Sequence, residues 1–243
     1  METKSAYFNN ELFGSALIRS KASIVWGLGL TLIFAIVFFL FPEVDLKASR
    51  FFYQTDESNS TASFHFAGNS ALYIFFKSVD VISRVVLFCA IALTIFFIWK
   101  KSAKAIAAIV VTLSLIFGPL IFVNGILKEH WDRARPRELV EFGGTKRFTP
   151  AWVISDQCTR NCSFTSGHAA AGFSFIVGHF VTRSFFWLWL GVAVGSLTGL
   201  TRIMVGAHFL SDVIFSFFSV FLASALVSYV VLRVVRSRKG SHA

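Results

Sequence analysis

Charge is what this sequence has least of: Asp, Glu, Lys and Arg make up 15% of 243 residues, and only 13 residues are acidic. A soluble domain needs roughly a quarter of its residues charged, so an ordinary soluble domain is excluded. Cysteine is scarce too, at 3, which excludes a disulfide scaffold. Internal repeats, low-complexity tracts and linkers are missing, so a single domain over residues 1–243 is expected. What is present is apolar: 55% of residues are hydrophobic and 30 are Phe. That excludes a disordered chain and points to a membrane protein.

A bilayer core of about 30 Å takes about 20 apolar residues per helix, with about 17 as the lower bound. Six stretches meet it, giving an all-α polytopic fold. Residues 22–41 and 105–126 carry no charge. The segment ending at Trp99 is apolar from Val85 and must reach back through Arg84 and Asp80 to span. Residues 165–181 and 185–201 are short, whereas 209–232 is long and uninterrupted. Phe41-Pro42-Glu43 offers no small-x-small cleavage site, so the first run is expected to stay as a helix. One set of ends carries Lys4, Arg19, Lys21, Lys100, Lys101, Lys104, Arg183, Arg233, Arg236, Arg238 and Lys239 against only Glu2 and Glu11. The positive-inside rule places those ends, and both termini, in the cytoplasm. Most of the formal charge of +10 is therefore an orientation signal, and no nucleic-acid partner is expected.

The segment after the third span breaks that rule. Lys128, Arg133, Arg135, Arg137, Lys146, Arg147 and Arg160 all fall in one external loop. A solvated basic loop touching lipid phosphates is one reading, and an anion site is the other. Lys128 and Arg135, seven residues apart, are expected on one helix face, with Pro136 stopping the helix. Ser166-Gly167-His168 opens the fourth span with small residues, where free backbone N–H groups suit a phosphate. Arg202 closes the fifth span. His208 opens the sixth with Asp212 at i+4, where the carboxylate could take the Nδ1 proton and leave Nε2 nucleophilic. Three separated segments that meet at one membrane level with these groups favour the anion site.

Lys128-x6-Arg135-Pro136, Ser166-Gly167-His168 and Arg202-x5-His208-x3-Asp212 together resemble the three-part signature of the type 2 phosphatidic acid phosphatase (PAP2) superfamily of membrane lipid phosphatases. The core motifs cover residues 128–136, 165–168 and 201–212. Thr165 stands where Pro is common and Thr201 where Ser is common; Thr165 is expected to cap the helix. The resemblance implies a six-helix bundle with its site at the periplasmic face of a bacterial inner membrane. It implies His208 as nucleophile forming a phosphohistidine, with Asp212 fixing its tautomer, and His168 as general acid and then base. Lys128, Arg135 and Arg202, with Ser166 and Gly167, would hold the phosphate oxygens. These cations stand where other phosphatases use a metal, so neither metal nor other cofactor is expected. The implied partner is a membrane lipid phosphate. Trp131-Asp132-Arg133-x-Arg135-Pro136 and Cys158-x3-Cys162 are more similar to bacterial members, lipid A phosphatases among them. Lipid A 1- or 4'-phosphate leads the substrates implied; undecaprenyl diphosphate, phosphatidylglycerol phosphate and phosphatidic acid follow.

In an oxidising compartment Cys158 and Cys162 could bridge and tighten the loop before Ser166; two free thiols are the alternative. Arg133, Arg137, Lys146 and Arg147 suit rim contacts to a bulky anion. His130 fits either an extra donor or a head-group contact, and Asp80 and Arg84, with Lys77, fit either a substrate-side ion pair near the outer leaflet or, as preferred, an internal helix pair. His65, His179 and His242 are taken as structural or exposed, and Phe215-Ser216-Phe217-Phe218 as lipid-facing. A non-enzymatic anion carrier would need no His208 and Asp212 pair, although Gly118-Pro119 inside the third span is a feature such carriers use. A soluble haloperoxidase with a similar residue set does not fit six spans.

Overall fold

The computed structural model describes residues 10–56 and 61–240. Glu2, Lys4 and His242 lie outside them. Helix α1 (Asn10–Leu40) leads into a short helix α2 (Glu43–Arg50) and an antiparallel hairpin of β1 (Tyr53–Asp56) and β2 (Thr61–Phe64), with Tyr53 opposite Phe64. Helix α3 (Ser70–Trp99) follows. Then α4 (Lys104–Leu115) runs on as a π-helix (Ile116–Leu127) and one last α-turn, α5 (Lys128–His130). After a long loop, α6 (Gly167–Phe173) and α7 (Val177–Thr182) are joined by a 3-10 turn, and α8 (Phe185–Met204) and α9 (Leu210–Gly240) complete the chain.

Among the described residues, five stretches are long and apolar enough to cross a membrane: Gly14–Leu40, Ser70–Trp99, Lys104–His130, Phe185–Met204 and Leu210–Arg238. The sixth expected span, residues 165–181, is instead the broken run of α6, 3-10 turn and α7. At 1.5 Å per residue it covers about 24 Å, short of a bilayer core of about 30 Å. Its place is inside the bundle, with Ala169, Ala170 and Ile176 wholly buried. Glycines make room for it: a Cβ on Gly195 of α8 would stand 2.1 Å from the Phe173 ring.

The π-helix has a local cause. Pro119 has no N–H to donate and its ring crowds the preceding turn, so the helix widens there. Asn124 donates its side-chain amide to the Pro119 carbonyl at 2.6 Å. The widened segment hands directly to Lys128.

Helix α9 is the axis of the bundle, packed by α1, α4, the π-helix, α6 and α8. This overturns one expectation. Phe215 and Phe218 are buried, 2% and 4% exposed, rather than lipid-facing. Phe215 meets Trp152 and Phe164 at ring distances of 4.8 and 5.8 Å, and Phe218 meets Phe34 at 5.5 Å. Along this stretch α9 is enclosed by neighbouring helices, so its apolar residues are core, whereas Leu226, Val230 and Val234 farther along it are exposed. Two of its serines are satisfied within the helix, Ser219 on the Phe215 carbonyl and Ser224 on that of Val220, and Ser228 accepts from Ser20 of α1, as groups away from water must find partners.

Candidate active site

The turn between α8 and α9 sets the position of His208. α8 ends in paired reverse bonds, Gly206 N–H to the Ile203 carbonyl and Ala207 N–H to the Arg202 carbonyl, both 2.9 Å. This is a Schellman turn, and it needs a left-handed residue at Gly206, where φ is +64°. A Cβ there would also stand 2.4 Å from the Phe64 ring of the hairpin. The Arg-x5-His spacing is thus the length of one helix cap followed by an exit.

His208 precedes α9 and is 1% exposed. Its Nδ1 donates to the Ser163 carbonyl at 2.7 Å, whereas the Asp212 carboxylate stands 3.5 Å away. The expected i, i+4 hydrogen bond is therefore displaced. Asp212 is already engaged by Arg133 Nη1 at 2.7 Å, Ser163 Oγ at 2.5 Å and the Phe209 N–H at 2.8 Å. The consequence for His208 is the one anticipated: the proton sits on Nδ1, and Nε2 has no hydrogen bond among the described residues.

Arg133 is not a rim residue. It is fully buried, with Nη2 on Asp45 at 2.8 Å, Nη1 on Asp212 and on Ser211 Oγ at 2.9 Å, and Nε on the Thr149 carbonyl at 2.9 Å. Its guanidinium lies over the Phe209 ring at 4.0 Å. Asp45, which sequence reasoning missed, also accepts from the Ser211 N–H at 2.8 Å and its hydroxyl at 2.5 Å. The only hint of it was an acidic residue just after the first span. Two buried carboxylates and the planar fork between them form a closed set, the geometry that makes a buried charge tolerable.

The remaining cations are the reverse case. Lys128, Arg135 and Arg202 are 9%, 7% and 8% exposed, yet none makes an ion pair among the described residues. Arg135 donates to the Asn161 carbonyl at 2.7 Å. Arg202 lies over the Phe76 ring at 4.0 Å with its Nε unpartnered. His168 touches the same ring, centroids 5.0 Å apart, and its Nε2 is also buried without a partner. Burial, followed by the nearby Arg137 guanidinium, lowers the Arg135 pKa. Three buried cations without a counter-ion are costly unless an anion joins them.

Arg135 does not reach the site from a helix. α5 stops at His130, Asp132 takes a left-handed φ of +49°, and Arg135 is extended, as a residue before proline prefers. Ser166 is the N-cap of α6, accepting from the Ala169 N–H at 3.4 Å; its own N–H goes to the Asp212 carbonyl at 3.4 Å and is not free for a ligand. Thr165, expected to cap, has an unpartnered hydroxyl. A Cβ at Gly167 would stand 2.5 Å from Asn124 Oδ1 and would push the Asn124 side chain aside. Cys158 and Cys162 are joined, with Cα atoms 5.7 Å apart. His130 bonds the Ile126 carbonyl, and Lys146 and Arg147 are exposed and line no cavity beside His168. Asp80 and Arg84 form the expected helix pair at 2.5 Å.

Burial lowers the His208 pKa to about 3; Arg135 and Lys128 act the same way, against the opposing pull of Asp212. The imidazole is neutral at neutral pH, as a nucleophile requires. The same shift is a stability statement. An unfolded chain protonates this position near pH 6.5 and the folded one does not until about 3, so its contribution is complete above 6.5 and falls with acid. The thermal midpoint in detergent is expected to fall between pH 6.5 and 4, and less steeply in His208→Phe; equal slopes would contradict it.

Two kinds of comparison bear on this arrangement. The family model described as PAP2 superfamily matches residues 105–236. Three similar proteins are each named lipid A 4'-phosphatase. The one from Rhizobium leguminosarum is 32% identical, covering 84% of this chain and 92% of the relative. That from Francisella tularensis subsp. novicida (strain U112) is 34% identical over 82% and 92%. That from Rhizobium etli is 31% identical over 84% and 83%. No solved structure matches the chain. The matched segment contains all three motifs that converge on the unpaired cations, and the chain belongs to the PAP2 superfamily.

Proposed function

We propose that this protein hydrolyses a phosphomonoester of lipid A, through a phosphohistidine, at the periplasmic face of a bacterial inner membrane. By its family and its relatives the chain is a membrane lipid phosphatase, a phosphoric monoester hydrolase. The observation that carries the finer reading is the trio of buried cations without counter-ions beside a neutral, Nδ1-anchored His208. In the first step Nε2 of His208 attacks phosphorus, the bond from phosphorus to the lipid oxygen breaks, and His168 gives that oxygen a proton. In the second, His168 takes a proton from water, whose oxygen attacks phosphorus and frees inorganic phosphate and His208. Lys128, Arg135 and Arg202 meet the equatorial oxygens, where charge gathers in the transition state.

A lipid substrate is supported by the cavity between α3 and the π-helix. A chamber of about 370 Å³ holds Lys128 and His168 at its polar end. Past Ser83, Leu115 and Ala171 it adjoins an almost wholly apolar one of about 340 Å³, suited to an acyl chain. The relatives' names favour lipid A and its 4'-phosphate. Both termini are assigned to the cytoplasm by the positive-inside distribution, which requires the short, buried α6–α7 run to make the sixth crossing inside the bundle.

Purified protein incubated in parallel with lipid A, undecaprenyl diphosphate and phosphatidylglycerol phosphate is expected to release phosphate fastest from lipid A. Because the cations supply the charge stabilisation, EDTA is expected to leave the rate unchanged. Activity lost in EDTA and restored by a divalent ion would sink the mechanism, and release from another lipid alone would sink the substrate assignment.

A further inference from the structure

His168 has a cavity on each side. The one on the Lys128 side is described above; the other, about 300 Å³, is lined by Asn69, Tyr73, Lys77, Arg137, His168 and Arg202. It contains no carboxylate; Lys77 stands between the two cavities and also lines the first, whose wall includes Asp80, while Arg137 lines only the second of the two. Arg202 belongs to the reacting phosphate in the reading above, which leaves Lys77 and Arg137 as cations without an assignment. Neither makes an ion pair among the described residues. The acids next to them are engaged elsewhere: Asp80 with Arg84 at 2.5 Å, and Glu138 with the Arg135 N–H at 3.1 Å. Both positions are anchored by backbone. Lys77 sits on α3 beside Phe76, the ring that touches His168 and Arg202. The Arg137 N–H donates to the Gly206 carbonyl at 3.0 Å, in the turn that carries His208.

A phosphate held by three cations needs no further ones. Two more positive side chains, converging on an acid-free cavity that shares a wall with the reacting group, call for a second negative charge on the same molecule. We propose that Lys77 and Arg137 form a second anion subsite, which takes another phosphate of the lipid headgroup and makes the enzyme prefer substrates carrying two anionic groups. This rests on the phosphatase reading of the site. Substrate would then bridge the two cavities, its acyl part on the Lys128 side of His168 and its second anion on the Arg137 side.

The test compares kcat/KM on a lipid A bearing two phosphates with that on its counterpart bearing one, for the unmodified protein, Lys77→Ala, Arg137→Ala and Lys77→Arg. The unmodified protein is expected to favour the doubly phosphorylated lipid, and each Ala variant to lower that preference about tenfold, through KM rather than kcat. Lys77→Arg is expected to retain it. An unchanged preference, or an equal loss on both lipids, overturns the subsite and leaves the phosphatase reading standing. A change confined to inhibition by inorganic phosphate overturns it in favour of a product exit. No phosphate released from either lipid by the unmodified protein instead removes the functional reading on which the subsite depends.

Discussion

Replacing His208 by Ala is expected to lower kcat by about 10⁴-fold or more, the scale on which enzymes lose a covalent nucleophile. The side chain is buried, so the loss must be separated from a packing defect. Its ring makes a hydrogen bond to the Ser163 carbonyl through Nδ1 alone. Asn preserves a donor near that carbonyl while removing the nucleophilic nitrogen, so His208→Asn is expected to fold and remain inactive. His168→Ala gives the complementary result. With the acid and base removed but the nucleophile intact, a lipid bearing a good leaving group is expected to leave labelled phosphate on the protein. That label should be lost in acid, kept in base, and absent from a variant lacking both histidines. Turnover retained in His208→Ala, or label that persists without His208, would remove the phosphohistidine from the mechanism.

The largest effect on stability is expected at Arg133. Truncation to Ala strands Asp45 and Asp212, 1% and 0% exposed, with no cation between them. Breaking a buried pair from one side costs about 3–5 kcal/mol, and here two carboxylates lose their partner together. Arg133→Lys is expected to recover little of this. One ammonium cannot replace a fork that serves Asp45, Asp212, Ser211 and the Thr149 carbonyl at once. Thermal or urea unfolding in detergent reads the loss, and a midpoint for Arg133→Ala within experimental error of the parent would contradict it. Asp45→Asn is the milder probe. It keeps the volume and one acceptor, so folding is expected to survive, while kcat falls because the Arg133 and Asp212 frame around His208 loosens. KM should hold, since Asp45 meets no substrate. A matching rise in KM would place Asp45 in binding instead.

These two expectations differ in how far the sequence announced them. His208, His168, Lys128, Arg135 and Arg202 were legible because the spacing within each motif is short, although Lys128 and Arg135 are joined by a helix end and an extended exit rather than by one helix face. The roles of Arg133 and Asp45 were not. Arg133 stood in a basic run and read like its exposed neighbours Arg137 and Lys146. Its partners lie 88, 79 and 78 positions away. The geometry around Asp212 was misjudged for a related reason. An i, i+4 rule applies inside a helix, and His208 precedes α9, where the Ser163 carbonyl from another segment is the nearer acceptor. Phe215 and Phe218 were misplaced because hydrophobicity tells that a residue avoids water, without telling whether lipid or protein replaces it.

By itself the sequence determined that the chain enters a membrane, since burying so many apolar residues with so few charges has no other solution at this length. It also determined the family, through motifs whose spacing is fixed by local backbone geometry. Only the tertiary structure decided which cations are paired and which have no counter-ion among the described residues. The formal count treats Arg133, Arg135 and Arg137 alike, and packing separates them: one is neutralised by two buried acids, one is buried facing none, and one borders an acid-free cavity. That sorting depends on which distant carboxylates arrive beside each guanidinium, and interactions between segments are set by helix packing rather than by any local pattern.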